Sequence, residues 1–135
     1  MRFRTLISTV VLSLAATLSP YAMAQTGSIE LVTKIPFKFI VSKKLYNEGT
    51  YTVLRRSDNT LSIQLMGDSG KQLVAMPVLT RLARQHVKYE SRGSLVFDVI
   101  GDQYFLSEVW MPEVDGYQVS TTTQIHKHEF VEVKE

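Results

Sequence analysis

The sequence predicts a mainly β protein: a single small antiparallel β-sandwich or barrel, preceded by a cleaved N-terminal signal helix. Three observations carry this. Apolar residues from Ile29 onward recur at spacing two, the period of a half-buried strand. Turn-forming Gly, Asp, Asn and Ser clusters punctuate the chain at short intervals, and no stretch shows an apolar stripe at the 3.6-residue helical period. The first 24 residues have the three parts of an export signal: basic Arg2 and Arg4, an apolar run from Leu6 to Leu18, and Ala22-Met23-Ala24 after Ser19-Pro20. Small residues at Ala22 and Ala24 suit a signal peptidase, so cleavage after Ala24 is expected. The apolar run is shorter than the roughly 20 residues that a membrane crossing requires.

The expected domains are therefore a signal peptide over 1–24 and one β domain over 25–135. Without the leader, 111 of the 135 residues remain, enough for one core and too few for two. Loss of Arg2 and Arg4 leaves 13 Lys and Arg against 13 Asp and Glu, a formal charge of zero. A neutral chain with no basic run has no electrostatic basis for nucleic-acid binding. There are no cysteines, so there are no disulfides and no lipid-modified cysteine. With no membrane span after signal cleavage, the product is expected in the periplasm or secreted.

Ile29, Leu31, Thr33 and Ile35 share one face of a first strand. Pro36 lacks the ladder donor and marks a bend before Phe37, Phe39 and Val41. Tyr51 and Val53 face inward from a strand over Thr50 to Arg56. Leu61, Ile63 and Leu65 do the same after a turn at Ser57-Asp58-Asn59, and Gly67-Asp68-Ser69-Gly70 turns the chain into Gln72 to Leu79. The polar stretch from Thr80 to Gly93 suits a loop, a short helix or a strand pair at the rim. Leu95, Phe97 and Val99 form the next strand. Beyond Gly101-Asp102 lies an apolar strand from Tyr104 to Met111, with Phe105 and Val109 on one side and Leu106 and Trp110 on the other. Asp115-Gly116 closes that hairpin region. The tail from Tyr117 to Glu135 carries opposed signals, stiff Thr121-Thr122-Thr123 and valines favouring extension, charges and terminal position favouring fraying.

Gly67-Asp68-Ser69-Gly70 matches the tetrapeptide around the nucleophile of chymotrypsin-like proteases, but those enzymes need His and Asp earlier in the chain. Here His86, His126 and His128 all follow Ser69, and a turn explains the same letters. The metal candidates are His126 and His128. On a strand, spacing two puts both imidazoles on one face, where they could share zinc or copper. A third ligand would come from His86, Glu129, Met66, Met76 or Met111. Glu108, an acid within an apolar strand, is either a pocket carboxylate or a rim residue. The aromatics Phe37, Phe39, Tyr51, Phe97, Tyr104, Phe105 and Trp110 read as core, or as an exposed row that grips sugar or a partner strand.

Three segments together carry a resemblance: Lys34-Ile35-Pro36-Phe37-Lys38-Phe39, then Gly49-Thr50-Tyr51-Thr52-Val53, then Tyr104-Phe105-Leu106-Ser107-Glu108-Val109-Trp110. In this order the chain resembles a family of small uncharacterised exported bacterial proteins, over most of the length after the leader. It departs from the pattern at Tyr46 to Glu48, where the family has a proline before the glycine, and in its histidine-bearing tail. The resemblance implies a signal peptide and a compact β domain, and no activity, cofactor or site residue. The expected function is non-enzymatic: an exported binding or envelope-structural domain for an envelope or extracellular ligand, with no cofactor. The alternatives are a periplasmic metal-binding module using His126 and His128, and a small hydrolase whose site assembles only in three dimensions.

Overall fold

The computed structural model describes residues 27–58, 61–83, 92–112 and 115–133. The leader, Asn59 of the Ser57-Asp58-Asn59 turn and His86 lie outside these residues. Within them the chain forms β1 (Ile29–Ile35), β2 (Phe39–Val41), β3 (Lys44–Tyr46), β4 (Gly49–Arg55), β5 (Ser62–Met66), β6 (Gln72–Pro77), β7 (Thr80–Leu82), β8 (Ser94–Ile100), β9 (Gln103–Trp110), β10 (Gly116–Gln118) and β11 (Lys127–Glu132). No described helix is long and apolar enough to cross a membrane.

The first sheet runs β1-β4-β5-β6, every neighbour antiparallel. Alternation decides its inner face: Leu31, Thr33 and Ile35 are buried while Glu30, Val32 and Lys34 are exposed. Tyr51 and Val53 of β4 and Ile63 and Leu65 of β5 continue that face. Leu61, expected on the same face, precedes β5 and is 79% exposed. The Gly67 to Gly70 segment is the β5–β6 turn: the Gly70 amide donates to the Gly67 carbonyl at 3.0 Å. Gly70 sits at φ +78°, which glycine adopts without a Cβ penalty.

Pro36 ends β1, and the chain crosses to the second sheet, ordered β11-β8-β9-β10-β7 with β2 and β3 attached beside β9. Ile40 of β2 pairs with Phe105 of β9 in parallel, so this sheet is mixed rather than purely antiparallel. Leu31, Val53 and Ile63 from the first sheet and Phe39, Phe97 and Val109 from the second belong to one buried cluster. Phe97 is central, with the Phe37 ring edge-on at 4.9 Å and the Phe39 ring at 5.7 Å. Aromatic pairs of this kind add roughly 0.5–1.5 kcal/mol each beyond area burial. The aromatics therefore mostly furnish the core. Among the described residues the sheets do not close into a barrel.

One irregularity overturns an expected side-chain assignment. Val96 pairs with Glu108 but Phe97 with Leu106, so Ser107 is an extra residue in β9. The irregularity is matched on the other edge of β9. There β10 pairs with Glu108 to Trp110 and β2 with Phe105, and the Val119 and Ser120 amides both reach the Ser107 carbonyl, at 2.8 and 3.3 Å. A bulge shifts the side-chain alternation by one. Leu106 and Val109 thus both enter the core, while Phe105, expected beside Val109, is only half-buried. The polar middle supplies a rim strand, β7 against β10. The tail resolves into β10 and β11, the latter pairing along β8.

Candidate metal centre

β8 lies between β11 and β9 and carries the site. Leu95 and Phe97 point into the core, which leaves Val96 and Asp98 on the opposite face by strand alternation. Asp98 is nonetheless only 3% exposed. In the β11–β8 register His128 stands directly opposite Asp98, and directly opposed residues of an antiparallel pair project to the same side. His126 precedes His128 by two residues, and its ring lies 4.8 Å from that of His128, centroid to centroid.

The donor atoms converge on the carboxylate. His128 Nδ1 is 3.1 Å and His126 Nε2 3.6 Å from Asp98 Oδ1, and the three donor atoms all lie within 4.8 Å of one another. Oδ1 is buried and, despite the 3.1 Å contact, has no hydrogen-bond partner. A buried carboxylate oxygen without a partner is costly. His126 Nδ1 lies 2.8 Å from the Gln124 carbonyl oxygen. A carbonyl can only accept, so Nδ1 carries the proton, and in the neutral ring Nε2 presents its lone pair towards Asp98. Metal-ligating histidines are usually held in this way, the remote N–H donating to a carbonyl or carboxylate.

A lone pair facing a carboxylate needs a cation between them, either a proton or a metal ion. A tetrahedral site with bonds of roughly 2.1 Å separates its donors by about 3.4 Å. The two separations from Asp98 Oδ1, 3.1 and 3.6 Å, bracket that value, and the two ring nitrogens lie within 4.8 Å of each other, so a small side-chain adjustment would close the site on an ion. The donor set of two imidazoles and one carboxylate suits zinc or copper(II). The imidazoles are partly solvent-accessible, with side chains 23% and 48% exposed for His126 and His128, so an ion has a way in.

Asp98 also lines a cavity of about 370 Å³ bounded by the β2–β3 turn, β8, β9 and the segment from Val119 to Gln124. Phe105, displaced from the core by the bulge, forms part of its wall. The turn residues Ser42 and Lys43 adopt positive φ, 49° and 66°.

The structure thus brings together His126 and His128, as their spacing predicts, and adds Asp98, which sequence reasoning missed. The signal was there: Asp98 interrupts an otherwise apolar run from Leu95 to Ile100. Of the other third-ligand candidates, His86 lies outside the described residues, and none of the rest joins the three donors. Met111 is buried in the core, Met66 sits on the first sheet, and Glu129 is exposed next to His128 in β11, where alternation sends it to the other face. Met76 is a core residue at the cavity wall. Glu108 accepts a 2.9 Å hydrogen bond from Trp110 Nε1 two residues away on the same strand. Tyr51, whose hydroxyl donates to the Asn47 carbonyl, has its pKa raised, first by burial and then by neighbouring Tyr46. No family model, curated protein or solved structure matches the chain.

Proposed function

We propose that this is an exported β-sandwich domain that binds one divalent transition-metal ion, zinc or copper(II), through Asp98 Oδ1, His126 Nε2 and His128 Nδ1. The observation that carries the reading is the unsatisfied, buried Asp98 oxygen facing two ring nitrogens. A proton on His126 would satisfy one contact and leave the His128 contact without a hydrogen bond. Protonating both rings would set two like charges side by side, 4.8 Å between centroids. A single dication answers all three donors at once. The function is binding, as the sequence suggests, with the metal alternative moved ahead of an envelope-structural role.

The test is calorimetric titration of the purified chain with zinc and, separately, copper(II). The expected result is one ion per chain, lost in Asp98→Asn and in His126→Ala. Titration heat unchanged by both substitutions would refute the site. Export is supported by the leader pattern, and mass spectrometry of the exported product should find Gln25 as its first residue. A product retaining Arg2 and Arg4 would refute the processing.

A further inference from the structure

We infer that the cavity beside the metal centre takes an amphipathic organic monoanion, its carboxylate placed between the metal's open position and Lys43. This rests on the metal reading above. Three protein ligands leave a fourth position free on a tetrahedral ion, and Asp98 belongs both to the ligand set and to the cavity wall. A dication on one carboxylate carries net positive charge, and Lys43, a residue of the cavity wall, has a long cationic side chain that can reach a bound anion. The remaining wall is largely apolar, with Ile40, Ile100, Phe105 and Val119 contributing. An anionic head with a hydrocarbon tail complements that division. At roughly 30 Å³ per water-sized group, 370 Å³ holds about a dozen non-hydrogen atoms, the size of a medium-chain carboxylate.

The backbone supplies an independent argument. Ser42 and Lys43 link β2 to β3 as a two-residue hairpin turn, both with positive φ. Such turns favour Asn-Gly, because at positive φ the Cβ of other L-residues crowds the backbone carbonyl. Strain retained beside a cavity is a mark of a ligand site. Here both strained residues, Ser42 and Lys43, line the cavity, and Lys43 is the cationic one.

The experiment titrates octanoate into the full chain, zinc-free and zinc-loaded, with octanol as the uncharged control. Zinc should tighten octanoate binding about tenfold or more, within the range typical of coupled sites, and octanoate should tighten zinc binding by the same factor. Octanol should gain nothing from zinc. Lys43→Gly should weaken octanoate several-fold, keep zinc binding, and raise the melting temperature by relieving the turn. Lys43→Asn, which also tolerates positive φ, should weaken octanoate in the same way. If zinc binds one ion per chain but octanoate affinity is indifferent to zinc, or to both Lys43 substitutions, the cavity inference is overturned and the metal reading stands. If zinc fails to bind, the metal reading falls, and this inference with it.

Discussion

Replacing Asp98 with asparagine should separate the two roles that its position permits, because they predict opposite signs. Without metal, Asp98 Oδ1 is buried and accepts no hydrogen bond. An unsatisfied buried polar group costs about 1–3 kcal/mol, and more when charged. If the carboxylate is kept for metal, Asp98→Asn measured in chelator should be as stable as the parent or more stable, by about 1 kcal/mol or above. The parent with zinc at 100 times its Kd should gain about 2.7 kcal/mol, since the ion binds only the folded chain. At roughly 4 °C per kcal/mol for a domain of this size, that is a rise in Tm of about 10 °C. The substituted chain should show almost none of it.

The assay is thermal and urea melts, with and without zinc, on parent and variant at a pH where free imidazole is neutral. If Asp98 instead pairs with a protonated histidine, its loss strands a charge beside a buried site. Stability in chelator would then fall by more than about 1 kcal/mol, and zinc would do nothing to either chain. That pair of results would refute the reasoning from the orphaned oxygen.

Three further outcomes follow from the packing. Phe97 is fully buried whereas Phe105 is half-buried at the cavity wall, so Phe97→Ala should cost about 3–5 kcal/mol and Phe105→Ala clearly less; equal losses in denaturant melts would contradict the bulge. A Cβ on Gly116 would lie 2.6–2.8 Å from the Trp110 indole, so Gly116→Ala should cost about 1–3 kcal/mol by overpacking and shift Trp110 fluorescence, and an unperturbed emission spectrum would argue against this contact. Tyr51 has a raised pKa when folded, so the stability it contributes is fully present below the unfolded tyrosine value near 10 and is lost as pH rises through the folded value; Tyr51→Phe should flatten that alkaline loss in melts run across the range, and an unchanged slope would remove Tyr51 as its source.

What the sequence made legible, and what it hid, divides along strand periodicity. Where alternation is regular, as in β1 and β4, the inner residues Leu31, Ile35, Tyr51 and Val53 are those the pattern picks out. The turn at Gly67 to Gly70 was equally plain, because its residue types are ones that turns require. The side chains of β9 were not, since the bulge at Ser107 coincides with bonds from the Val119 and Ser120 amides more than ten residues away, which no local pattern reveals. Leu61 was misplaced because nothing local says where a strand begins.

The metal centre shows the same division at the level of chemistry. Spacing two was enough to place His126 and His128 together, because period is a local property. Their third partner is set by register between β11 and β8, and the chain separates Asp98 from His128 by the whole of β9 and β10. Only the pairing tells that the acid interrupting one strand faces the histidines of another. The same pairing explains why an acid is tolerated in β8 at all. A lone carboxylate on a central strand opposes folding unless something positive meets it, and the strand laid against it brings two imidazoles that become suitable partners once a proton or a metal ion joins them. The tail that its composition left undecided between strand and fray is thus ordered as β11 beside β8, with His128 directly opposite the acid. Occupancy of the site should therefore report on β11: with zinc bound, amide exchange of Lys127 to Glu132 should slow relative to β1, and equal protection with and without metal would show that pairing alone holds the strand.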